Sequence, residues 1–236
     1  VYDDKLLDEM PAGAFRFGRH IHDHLQDREG IALTALHSTD SRGDAAQAET
    51  QGFDVSGHLE FGRDVTLPDG IKERTKTTLA LLPDTAFSRL SFSLCQQHRP
   101  ELIYVPEWLQ HPNSVNGICG ITILAHASDM AALETKFSGL YGAAQHAADG
   151  MQWHTANGTI SVKPRAPIER DFGPLPAEIN DTQPSIIAMD MTFSDPQVFQ
   201  KWLTKSGAAF CKTDGVYTLT RPDLSANTYL RFKPQS

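Results

Sequence analysis

Three stretches of this sequence open in the same way. LTALHSTD (33–40), TILAHASD (122–129) and AMDMTFSD (188–195) each run from an apolar segment into a small polar residue and an Asp. Each is followed by a segment with helical character. Ser, Thr and Asp at such a junction accept hydrogen bonds from the free N–H groups of the first helical turn. Each stretch therefore predicts a strand, a cap and a helix. A unit repeated in tandem buries its apolar face against its neighbours, and this constrains the chain more than its overall composition does.

In the first copy, 31–36 (IALTAL) reads as a buried strand and 44–50 as a short helix stopped by Gly52. Strand-like runs follow at 53–60, 65–67 and 72–82. LPDG (67–70) marks a turn, because Pro fixes φ, Asp bonds locally and Gly frees φ. Runs 90–94 and 102–105 give a last extended stretch, and the order is βαβββ. The second copy has a strand at 118–124, caps at Ser128 and Asp129, and a helix over 130–141. Strands 151–155 and 159–162 flank the Asn157-Gly158 turn. The third copy has a strand at 186–193, then Pro196 at the first helical position, a helix over 197–206 and Gly207 as its stop. Strands at 210–211, 216–219 and 229–232 complete it.

The first thirty residues read as irregular and polar. Five prolines between Pro164 and Pro184 mark a linker or wrapping arm. The implied organisation is a polar segment 1–30, a βαβββ unit 31–110, a second unit 111–163, a Pro-rich linker 164–184 and a third unit 185–236. The fold class is α+β.

Composition removes several functions. Lys and Arg total 21 against 29 Asp and Glu, a net charge of −8. Nucleic-acid binding rests on clustered positive charge, so no nucleic-acid partner is expected. No apolar run approaches the roughly 20 residues that span a bilayer, and no membrane partner is expected. Cys95, Cys119 and Cys211 form no CxxC pair, which argues against a zinc ribbon and a disulfide framework. Reduced thiols and the absence of a leader-like opening make cytoplasmic the expected location, although the sequence starts at Val1 rather than Met. No GxSxG, P-loop or GxGxxG motif occurs. His20, His22, Asp23 and His24 approach the metallo-hydrolase HxHxD string, but the Asp is one residue early. They read as polar residues of an exposed strand or loop.

Several strings carry a family resemblance: QGFDVS (51–56), VTLPDG (65–70), GITILA (120–125) and, most specifically, SFSLCQQHRPELIYVPEWLQHPN (91–113). They are similar to the bacterial glyoxalase-like group of the vicinal oxygen chelate superfamily. The resemblance covers about a third of the chain closely, and the repeat pattern carries the rest. It implies βαβββ units paired into cup-shaped curved sheets. It also implies a further unit upstream of residues 1–30, which this chain lacks.

In that superfamily, metal ligands come from the start of the first strand and the end of the fourth. The resemblance places Glu101 at the fourth-strand position, as ligand or general base, with His98 as a second ligand. On an extended strand their side chains diverge, so a bend at Pro100 is needed for them to converge. The residues seven before each capping Asp are Leu33, Thr122 and Ala188, none of them a ligand, while His37 and His126 lie at the strand ends. Phe92, Gln96, Tyr104 and Trp108 are the expected substrate-lining residues. The implied activity is that of a metal-assisted lyase or isomerase, or a dioxygenase. It would act on a small molecule with vicinal oxygens held on Zn, Ni, Fe or Mn. The alternative is a metal-free protein of the same fold that sequesters a small molecule. A third reading is a structural subunit whose paired units drive oligomerisation, and a homodimer is possible in each case.

Overall fold

Asp40, Asp129 and Asp195 all stand at helix N-caps. The computed structural model describes residues 4–235. Asp40 accepts from the Gly43 amide at 3.1 Å, and Asp195 from the Gln197 and Val198 amides at 2.8 and 3.0 Å. At Asp129 the entry is a 3-10 turn, Ala127–Asp129, capped by His126. The repeat in the sequence is therefore a repeat in the fold. The chain divides into two compact units, Ala32–Leu109 with the residues before Glu29, and Gln110 onward with Glu29–Ile31.

The first unit opens with α1 (Asp4–Leu7), the short pair β1 (Pro11–Ala12) and β2 (Phe15–Arg16), and α2 (Phe17–Asp27). β3 (Leu33–Ser38), α3 (Ser41–Thr50) and β4 (Gly57–Phe61) follow. A hairpin of β5 (Asp64–Thr66) and β6 (Lys72–Arg74) turns at LPDG, where the Gly70 amide donates to the Leu67 carbonyl at 2.8 Å. β7 (Thr77–Leu82) and β8 (Ser91–Gln97) complete a sheet of order β3-β8-β7-β4. β3 and β8 are parallel, and the other pairs are antiparallel.

Alternation along the strands sorts side chains to two faces. Gln96, which bonds Ser41 of α3, marks the helix-covered face and puts Phe92 and Leu94 on it. Leu33, Leu59, Leu79, Leu81 and Cys95 lie on the other face, under Ala12 and Phe15.

Two expectations fail here for local reasons. Residues 102–105 are not a strand: Pro100 starts a 3-10 turn, and Ile103 and Tyr104 donate to its carbonyl. β8 is instead the last strand of this sheet in chain order. The first thirty residues are not irregular, since 17–27 is helical. His20 and His24 share a helical face with ring centroids 4.3 Å apart, so their even spacing reflects no strand. Arg89, 4% exposed, fastens the end of this helix by donating to the carbonyls of His24 and Arg28 and to Asp27.

The second unit holds two complete copies. The first comprises β9 (Val115–Leu124), α4 (Met130–Tyr141), β10 (Gln145–Ala147), β11 (Gly150–Thr155) and β12 (Gly158–Lys163). The Pro-rich segment contains a helix, α5 (Arg165–Phe172). The last copy comprises β13 (Ser185–Phe193), α6 (Pro196–Ser206), β14 (Phe210–Thr213), β15 (Val216–Leu219) and β16 (Tyr229–Pro234). All eight strands form one sheet, β10-β11-β12-β9-β13-β16-β15-β14. Each copy closes with its last strand parallel to its first, and the two first strands, β9 and β13, join the copies antiparallel.

Under α6, Phe193, Phe199, Leu203, Tyr217 and Phe232 form one core. Phe137 of α4 packs on Trp153, with ring centroids 5.3 Å apart. On the opposite face, Ile168 and Phe172 of α5 and Ile179 cover Leu124, Ile187, Ala188 and Tyr229. The segment expected as a linker thus closes one end of the cup's inner face.

Candidate functional site

The inner face of the eight-stranded sheet, beyond the part covered by α5, is polar. The register places Asp190 beside Arg231 and Thr192 beside Lys233 on β13 and β16. Gly120 lies opposite Asp190 on β9, and Thr159 lies beside Gly120 on β12. Arg231 donates from Nε and Nη2 to the two oxygens of Asp190, both at 2.6 Å. Its guanidinium also lies over the Phe172 ring, 4.7 Å from the centroid. A bidentate partner and an aromatic plane fix the cation's orientation. Arg231 is still 26% exposed and Asp190 14% exposed, so the pair meets solvent from within the cup.

Two local features make room for this pair. A Cβ at Gly120 would meet Oδ2 of Asp190 at 3.3 Å and the Thr159 carbonyl at 3.1 Å, so the glycine leaves space for the carboxylate. The ladder steps from Gly120–Asp190 to Ile118–Met191, which leaves Cys119 as the extra residue of a β-bulge. Bulges re-aim side chains, and Cys119 lies within electrostatic reach of Lys233, Asp190 and Arg231. Burial outweighs the two cations and pushes the thiol pKa up. Cys119 is therefore a neutral neighbour of the pair rather than a nucleophile.

The residues expected from the sequence lie in the first unit, and the structure does not gather them. Glu101 is on an exposed 3-10 turn and accepts from Arg99 Nε at 2.5 Å. That bond holds its carboxyl below the usual range. His98 Nε2 bonds Thr78 Oγ1 at 2.7 Å, on the helix-covered face. Gln96 is occupied in the strand-to-helix junction: its Oε1 accepts from the Ser41 amide and hydroxyl, and its Nε2 donates to the Thr39 carbonyl. Phe92 is fully buried on the same face, which corrects its expected place in a cup lining. Tyr104 and Trp108 are 54% and 43% exposed on the loop after β8. They line no site with Phe92 or Gln96.

Among the described residues, no three His, Cys, Asp or Glu side chains gather as metal ligands do. At the seam of the second unit, Thr122, Ser161, Asp190 and Arg231 occupy the inner-face positions of the first and last strands. One carboxylate, two hydroxyls and a guanidinium are a poor match to the N and O donors a divalent metal requires. The fixed cation among them adds direct repulsion. The expected metal does not fit this set.

Sequence reasoning missed Asp190 and Arg231. Their signal was a single charge inside the otherwise apolar strand IIAMDMTF and the alternation of charged and apolar residues in YLRFK.

No protein-family model matches the chain, and no curated protein matches it. Solved structures do. A hypothetical protein from Staphylococcus aureus aligns with a TM-score of 0.63 at 10% identity, over 100% of this chain and 78% of that one. A triply substituted 4-hydroxymandelate synthase from Streptomyces coelicolor aligns with a TM-score of 0.52 at 10% identity, over 93% of this chain and 73% of that one. The chain has an α+β fold of the glyoxalase/dioxygenase type. At such identities the likeness extends to the fold and not to the chemistry.

Proposed function

We propose that this vicinal-oxygen-chelate protein binds a small organic anion with adjacent oxygens, such as a 2-hydroxy or 2-oxo carboxylate, on the inner face of its eight-stranded sheet. The binding uses no metal. The observation that carries this reading is the Asp190–Arg231 pair. Arg231 spends Nε and one Nη2 hydrogen on Asp190 and keeps further N–H donors for a ligand. Lys233 adds a second positive charge two residues along the same strand, on the same face. Thr159 supplies a hydroxyl donor beside them, and the Thr192 hydroxyl, which donates to Asn116 Oδ1 at 2.7 Å, keeps only acceptor capacity.

Arg231 takes over the work that a metal does elsewhere in the superfamily, attracting vicinal oxygens with a fixed positive charge. The guanidinium is already oriented, so little ordering entropy is lost on binding. The metal-assisted lyase, isomerase or dioxygenase chemistry expected from the sequence finds no support in the residues of this face. Sequestration of a small molecule fits them better.

The test is calorimetric titration of the chelator-treated protein with lactate, mandelate and pyruvate as probes. Binding that survives chelation and weakens about tenfold to a hundredfold in Arg231→Gln supports the reading, since a charged hydrogen bond contributes about 1.5–3 kcal/mol. Binding that requires an added divalent metal, or that is unchanged in the variant, overturns it.

A further inference from the structure

The inner face of the eight-stranded sheet has two walls of different chemistry. On β13 and β16 it carries the charges of Asp190, Arg231 and Lys233. On β9 to β12 it is neutral and polar. One row of the ladder runs from Asp190 through Gly120 and Thr159 to His154. The neighbouring row runs from Ala188 through Thr122 and Ser161 to Gln152 and Gln145. Partners across a ladder share a face and alternate residues change it. Thr122, Thr159, Ser161, Gln152, His154 and Gln145 therefore share the face that holds Arg231. Trp153 and its partner Ile160 lie on the other face, under Phe137 of α4.

The far part of the neutral wall is already organised. Gln145 Oε1 accepts from Gln152 Nε2 and from His154 Nε2, each at 3.2 Å. With Nε2 as the donor, His154 keeps Nδ1 as an acceptor, Gln152 keeps its Oε1 and Gln145 its amide N–H groups. The half-buried hydroxyls of Thr159 and Ser161 both donate and accept. The hydroxyl groups of a polyol do the same. An alkyl or aryl group laid on this wall would strip water from these side chains and leave them unpaired.

The register sets the length of the ligand. The Arg231 guanidinium is bonded to Asp190, and from Asp190 to Thr159 is two strand spacings, about 10 Å along the sheet. Gly120, between them, raises no side chain. Lactate held at Arg231 ends short of the neutral wall, whereas a hexose-derived acid reaches it. We propose that the anion taken on this face is a sugar acid, an aldonate or uronate, a reading that rests on anion binding at Arg231. Its carboxylate meets Arg231 and Lys233, and its hydroxyl groups bond Thr159, Ser161 and Gln152. The charged wall holds any small carboxylate, and the neutral wall selects the hydroxylated one.

Calorimetric titration of the whole chain with gluconate and with hexanoate tests this, because the two acids share chain length and charge and differ in their hydroxyl groups. Gluconate is expected to bind at least about tenfold more tightly. Ser161→Ala and Gln152→Met should each weaken gluconate about threefold to tenfold. Both should leave lactate binding unchanged, which also shows that the variants are folded. Equal affinity for gluconate and hexanoate overturns the sugar-acid assignment while binding at Arg231 stands. Variants that weaken gluconate and lactate alike, or neither, do the same. If none of these acids binds, or if Arg231→Gln leaves gluconate binding unchanged, the anion reading itself falls and the assignment with it.

Discussion

Arg231 and Asp190 sit side by side on two parallel strands and meet through both oxygens of the carboxylate, at 2.6 Å each. Neither is free in solvent and neither is sealed in the core, so the pair joins the stability of the sheet to what the cup can hold. Removing one partner leaves a half-buried charge without its counterpart. We expect Asp190→Asn and Arg231→Gln each to destabilise the second unit by about 2 kcal/mol. The double variant should lose less than the sum of the two, with a coupling of about 1 kcal/mol or more. Urea unfolding of the four proteins checks this, and strict additivity would show the pair to be energetically idle.

Gly13 predicts a steric outcome. It has a φ of +61°, and a Cβ there would lie 1.8 Å from the Ser56 carbonyl oxygen. Backbone cannot yield that distance cheaply. Gly13→Ala should lift β1 and β2 from the inner face of the first sheet and expose Leu79 and Leu81. Increased binding of an apolar dye, together with faster exchange of the β7 amides, is the expected readout.

A pH response follows from His20. Burial is the largest influence on its ring and pushes its pKa below 6.5. The Ala32 carbonyl and Asp23 oppose that shift, while His24 and Arg89 reinforce it. The folded state thus favours the neutral ring, and the unfolded chain takes up a proton first as pH falls. Stability contributed by this group is complete above 6.5 and is lost as pH drops from there through the folded pKa. Amide protection factors across 17–27, which remove the intrinsic pH dependence of exchange, should fall at pH 5 relative to pH 7.5. In His20→Phe this difference should shrink, and an equal difference in the variant would show that another group is responsible.

Glu101 is expected to be dispensable. Its carboxylate is on the surface and paired with Arg99, whose other contact is Glu73 at 3.3 Å. Glu101→Ala should leave carboxylate binding and the metal content of the purified protein unchanged. Stoichiometric Zn, Ni, Fe or Mn that falls in this variant would return the first unit to the centre of the chemistry.

The repeat was legible in the sequence because its signals are local. A capping Asp after an apolar run, the Asn157-Gly158 turn and the LPDG turn each work through their own neighbours. α4 spans 130–141 and LPDG turns as those signals imply. Elements whose reasons are tertiary were not legible. β10 (QHA) carries no apolar alternation and exists because β11 offers it an edge. α5 holds despite Pro167, since Ile168 and Phe172 have a surface to bury against. The Asp190–Arg231 pair was not legible for a similar reason: its two residues lie 41 positions apart and meet only through strand register, whereas the dense run of distinctive residues at 95–113 is contiguous in the chain.

The outer strands of the eight-stranded sheet carry a consequence for self-association. β10 and β14 have three and four residues and are exposed along their whole length. Edges that short offer too few backbone groups to seed further strands. A chain assembled from three like units therefore has no route through these edges into fibres.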